Sequence, residues 1–152
     1  MKKQAVLRKV KLTNFAEFKT KILSPVTTDI NLSRYDQLVG ENAMWEKSLS
    51  FLKQENASLK TRLSVVTDSN NGREFIKLAE YFQNQFLLKD EFIKGLKVEI
   101  SAHLADLTNG DNRTITGDIE KKQEQLRKRV SYFETDFSRL KNEFNQLSTQ
   151  FL

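Results

Sequence analysis

The residue best suited to acid–base or metal chemistry is the single histidine, His103, with Glu99 one helical turn before it. Di-iron bundles take Glu-x-x-His pairs, the two ligands three apart, from two helices and a further Glu from each of two others. Here the spacing is four, there is no second histidine, and no Asp or Glu falls on the apolar rows described below. The chain has no cysteine, which removes thiolate metal sites, disulfides and cysteine nucleophiles. It carries no glycine-rich phosphate loop, nucleophile elbow or His-Glu-x-x-His zinc motif. Its carboxylates alternate with Lys and Arg, as in Glu120-Lys121-Lys122 and Glu124 to Lys128, the pattern of a solvated helix face. A hydrogen-bonded or partly exposed histidine on an apolar row is therefore the expectation for His103. No catalytic residue, cofactor or metal ligand is expected, and the chain is read as a non-enzyme.

Anion binding is the other chemistry the sequence offers. Lys2, Lys3, Arg8, Lys9 and Lys11 crowd into the first eleven residues beside Val6, Leu7, Val10 and Leu12. Residues 1–30 hold seven basic residues against Glu17 and Asp29, so the whole net charge of +5 belongs to this arm and the rest is balanced. Clustered Lys and Arg displace counterions from a phosphate backbone, and nucleic-acid binding through such an arm would be weak, insensitive to sequence and steeply salt-dependent. The interleaved apolar residues suit an acidic membrane surface equally, as they suit docking onto the rest of the chain or a solvated tail. No aromatic residue joins the cluster before Phe15, so base stacking has little support.

These residues must be positioned by helices. From Ile119 the series Gln123, Leu126, Val130, Phe133, Phe137, Leu140, Phe144, Leu147 and Phe151 advances in alternating steps of four and three, the spacing of an apolar seam on a helix packed lengthwise. Phe75, Ala79, Phe82, Phe86, Lys89, Ile93, Leu96, Ile100, His103 and Leu107 repeat it, with Tyr81, Leu88, Phe92 and Val98 suggesting a second buried flank. Further upstream, Leu38, Trp45, Leu52, Leu59 and Val66 recur every seven residues. Leu49 and Leu63 form a second row in which Asn42 and Asn56 take the equivalent places, and Met44 and Phe51 widen the stripe. The spacing predicts a helix from about Ser33 to Val66, starting only at Glu41 if Gly40 is too costly. Turn clusters at 67–72 and 109–112 separate the three, Gly110 suits a left-handed cap, and Thr114 or Thr116 suits the next N-cap.

Short connections force neighbouring helices to be antiparallel. The expected fold is thus all-α: an up-down-up bundle over residues 33–152 with coiled-coil-like seams, preceded by a basic arm over residues 1–32. Within the arm, Asn14 to Glu17 reads as a capping box opening a short helix to about Leu23, ended by Ser24-Pro25. Folding back around Asn70 and Asn112 puts Asn42, His103 and Gln123 at one level near the second loop, where they are expected to form a polar core layer that fixes register. The 11 Phe are expected to be core.

Phe51-Leu52-Lys53-Gln54-Glu55-Asn56-Ala57-Ser58-Leu59-Lys60, Ala79 to Phe86 and Leu140 to Asn145 resemble stretches of small uncharacterised all-helical proteins of Bacteroidetes-type bacteria. The resemblance covers about residues 33–151 and implies a helical fold without supplying an activity or site residues. No apolar run approaches the roughly 18 residues of a transmembrane helix, and Arg8, Lys9 and Lys11 interrupt the apolar stretch a signal peptide requires. The chain is read as a soluble cytoplasmic protein acting through protein–protein contact. A homodimer is expected unless the Phe15–Ile22 segment covers the off-seam apolar residues, with anionic-surface binding through the arm as the alternative.

Overall fold

The computed structural model describes residues 33–109 and 114–151. Among them are three helices and no strand: α1, Arg34–Ser69; α2, Arg73–Thr108; and α3, Gly117–Phe151. Each helix packs against both others. Consecutive helices are antiparallel, so α1 and α3 run parallel: Arg34 meets Glu120 near one end and Arg62 meets Asn145 near the other. The arm, its short helix and the cap expected at Gly110 lie outside the described residues.

The helix ends follow local chemistry. Ser33 caps α1, its hydroxyl accepting from the Asp36 amide at 3.2 Å. Gly40 does not delay this start. Its penalty of about 1 kcal/mol is outweighed by burying Leu38, worth roughly 1.5–3 kcal/mol, and by the Arg34–Glu120 ion pair one turn ahead. At the other end α1 runs three residues beyond Val66. Thr67 and Ser69 turn their hydroxyls back to the carbonyls of Leu63 and Val65, which uses their hydrogen-bonding capacity inside the helix rather than in a turn. Asn70, through its side-chain amide on the Val66 carbonyl, closes the helix. Of the two candidate caps for α3, Thr116 serves, its hydroxyl accepting from the Ile119 amide at 3.2 Å.

All three seams converge on one core. From α3 it takes Leu126, Val130, Phe133, Phe137, Leu140, Phe144 and Leu147, and from α2 most of the series from Phe75 to Ile100. Toward the first loop, Phe144 meets Phe82 and Phe86 edge-to-face with centroids 5.5 and 5.4 Å apart, a geometry the ring quadrupoles favour. Farther along, Phe92 stacks on Phe133 at 5.1 Å. The second flank expected on α2 is not buried: Tyr81, Leu88, Phe92 and Val98 are exposed. A three-helix bundle covers only the side of each helix that faces its two neighbours, and no fourth helix among the described residues reaches that flank. For the same reason Phe51 is exposed and Leu52 only half-buried, whereas Met44, beside Val130 of α3, is buried.

Candidate functional site

Asn42, His103 and Gln123, one from each helix, form a buried cluster within this core. The Asn42 side-chain N–H donates to Gln123 Oε1 at 3.0 Å and to the Leu38 carbonyl at 2.8 Å. His103 Nε2 lies 2.7 Å from the same Gln123 oxygen. An amide oxygen can only accept, so His103 must carry its proton on Nε2. The Gln123 amide orientation is fixed independently, because its nitrogen faces two acceptors: Glu41 Oε1 at 2.7 Å and, more weakly, the Leu38 carbonyl at 3.4 Å. Glu41 in turn takes two N–H groups of Arg127, each at 2.7 Å. The layer is thus tied through Glu41 to the rim of the α1/α3 interface.

Midway along the bundle lies a second polar position that the sequence reading did not join to the first. Asn56, fully buried, donates to the Phe86 carbonyl at 2.8 Å and to Asp90 at 2.7 Å, and Asp90 also pairs with Lys60. The available signal was the spacing: Asn56 follows Asn42 by two heptads on the same row. A third polar contact is the Lys89–Asp136 pair, the least exposed ion pair among the described residues, with side chains 12% and 19% accessible. Lys89, and Arg139 after it, hold the Asp136 carboxyl below the usual carboxylate range by hydrogen bonding to its charged form.

Glu99, the one carboxylate a turn from His103, turns instead toward Arg129 and Lys122 of α3, and the Arg129 hydrogen bond lowers its pKa. Among the described residues no group of three or more His, Asp or Glu comes together to hold a metal, and no helix is long and apolar enough to cross a membrane. Lys2, Lys3, Arg8, Lys9 and Lys11 lie outside the described residues.

What the surface does offer is exposed apolar side chains in rows. Leu88 and Phe92 lie one turn apart on α2, next to Lys89, which faces α3 through Asp136. Tyr132, 70% exposed, sits one turn before that same Asp136 on α3. The three therefore share the α2/α3 side of the bundle. A second row, Ile76, Leu87 and Val98, is spaced by eleven residues, or three turns, along the α1 side of α2. No protein-family model, curated protein or solved structure matches this chain.

Proposed function

We propose that this chain is a non-enzymatic helical scaffold that works by protein–protein contact, with a second copy of itself as one partner. The row formed by Leu88, Phe92 and Tyr132 carries this reading: large apolar side chains left in water on a slender bundle mark an interaction surface. Gly95, exposed one turn beyond Phe92 and without a side chain, leaves that part of the face smooth enough for a close approach. A cytoplasmic location and kinship with the Bacteroidetes-type helical proteins belong to the same reading. The absence of cysteine fits the first, and the resemblance of residues 51–60, 79–86 and 140–145 is what suggests the second.

Light scattering on the eluting full-length chain at micromolar concentration tests it. A mass of twice 17.7 kDa is expected, with Leu88→Glu returning the monomer while helicity by circular dichroism is unchanged. A wild type that elutes as a clean monomer at those concentrations overturns the self-association. The alternative reading, anionic-surface binding through Lys2, Lys3, Arg8, Lys9 and Lys11, rests on the concentration of the entire net charge in residues 1–30. Replacing Arg8, Lys9 and Lys11 with Ser and following a DNA gel shift at low salt separates it from the scaffold reading.

A further inference from the structure

One row on α2 runs outside both the core seam and the α1/α2 groove. Lys77, Tyr81, Asn84 and Leu88 open it, and Gly95, Glu99, Ala102 and Asp106 close it. Every member is exposed except Glu99, which is half-buried against Arg129 of α3. The steps along the row are four, three, four, seven, four, three and four, so the spacing reads the same from either end. The residue types, by contrast, turn into their complements. Lys77 at one end is a cation and Asp106 at the other an anion, and neither has an ion pair or hydrogen bond among the described residues. Next inward, Tyr81 is large and Ala102 small. Asn84 carries an amide donor, and Glu99 a carboxylate whose two ion pairs both use Oε2, leaving Oε1 to accept. Leu88, 60% exposed, answers Gly95, where a Cβ would meet nothing within 4 Å.

Such a row matches itself. When a second copy of α2 is laid against it antiparallel, a two-fold axis sets each member opposite the one equally far from the other end. Steps of three and four keep two helices in contact along their whole length. We infer that two copies of this chain pair along α2 about a two-fold axis between residues 91 and 92, with Lys77 on Asp106, Tyr81 on Ala102, Asn84 on Glu99 and Leu88 on Gly95, each contact made twice. Phe92 then meets its own copy beside the axis, on the side of α3 where it stacks on Phe133 and where Tyr132 flanks it. On the opposite side the two Glu91 carboxylates approach each other, and Lys94 of each copy, without an ion pair of its own among the described residues, comes beside the other copy's Glu91 to offset them. The α3 charges that border the row are already paired within one copy: Arg139 with Asp136 and Glu143, and Arg129 and Lys122 with Glu99. Charge also selects the second copy over the arm, because residues 1–30 carry +5 and would set like charge against Lys77 and Lys94.

The inference rests on the scaffold reading and deepens it, fixing how the two copies meet. Its test exchanges the charges at the two ends of the row. Lys77 and Asp106 lie about 44 Å apart on one helix at 1.5 Å per residue, so no contact within a single copy can couple them. Lys77→Glu and Asp106→Lys should each weaken the full-length dimer about tenfold in sedimentation equilibrium, because two attractions become two repulsions. The double variant should regain wild-type affinity, with helicity unchanged throughout. Lys77→Glu combined with Asp68→Lys, which restores the net charge away from the row, should not. Geometry is read separately from a spin label on Ala105→Cys, the only thiol in a chain that has none. Antiparallel pairing sets the two labels about 40 Å apart, whereas parallel helices in contact would hold them within about 20 Å. A dimer whose double variant is no tighter than the single ones, or whose labels lie at the short distance, overturns this pairing and leaves self-association standing. A monomeric wild type overturns both and assigns the row to a different partner.

Discussion

Gln123 is the hub of the buried polar layer, and replacing it with Leu should cost far more than replacing its neighbour. The side chain is fully buried. Its oxygen is the only acceptor given to His103 Nε2–H and one of two given to the Asn42 amide. Gln123→Leu strands one donor on each partner, at roughly 1–3 kcal/mol per buried unpaired group. Burying the added apolar atoms returns about 1–2 kcal/mol, leaving a net loss of about 0–5 kcal/mol, centred at roughly 2.5. His103→Leu is a different case, because Gln123 keeps Asn42 as a donor and no acceptor is orphaned; its cost should be about 1 kcal/mol or less. The two changes must then couple. In the Gln123→Leu background the histidine is a stranded donor, so His103→Leu should recover stability instead of losing it, with an interaction energy of about 1–3 kcal/mol. Urea denaturation followed by circular dichroism at 222 nm, on wild type, both single variants and the double variant, measures all four corners. Additive costs, or a Gln123→Leu variant as stable as wild type, would refute the network as drawn here.

Two further outcomes follow from the helix interiors. Gly40→Ala and Gly95→Ala should each stabilise by about 0.5–1 kcal/mol, because a Cβ at either position meets no atom within 4 Å; a lower urea midpoint in either variant contradicts this. Stability should also fall as pH drops below about 4, the ordinary Asp value. The folded-state pKa of Asp136 is depressed, so its contribution is complete above that value and is lost as pH falls through the folded one. Asp136→Asn should cost about 1.5–3 kcal/mol at neutral pH, the range for a hydrogen bond to a charged group, and should flatten the acid slope; an unaltered slope would show that other carboxylates set it.

Helix type, number and pairing were legible because the alternating spacing survives intact through α2 and α3, where nearly every seam residue from Phe75 to Leu147 is buried. Two dense turn clusters then left little freedom in topology. What misled was apolar character off the seam. Leu88, Phe92 and Val98 are as hydrophobic as core residues, and only the number of neighbouring helices decides whether they meet protein or water. α1 continues past Val66 to Ser69 although Thr67 and Ser69 are turn formers by composition, because a hydroxyl can satisfy itself on the carbonyl four residues back. Asn42, His103 and Gln123 were identifiable as polar breaks in apolar rows. The link from Gln123 through Glu41 to Arg127 was not, since it depends on rim side chains whose reach the spacing does not encode. Charge balance along the chain says nothing about which cations find partners across helices.

The odd number of helices among the described residues has a mechanical consequence. Because α1 and α3 run parallel, Ser33 and the end of α3 lie at opposite ends of the bundle, roughly 50 Å apart for 35 residues at 1.5 Å each. Anything joined before residue 33 and anything joined after residue 151 would be held apart by a rod of that length. Tension applied between those points would load α1 against α3 along their shared axis. The interlocked seam and its Arg34–Glu120, Glu41–Arg127 and Glu55–Lys141 pairs would then bear the force in shear, all together, where a hairpin pulled from one end yields pair by pair.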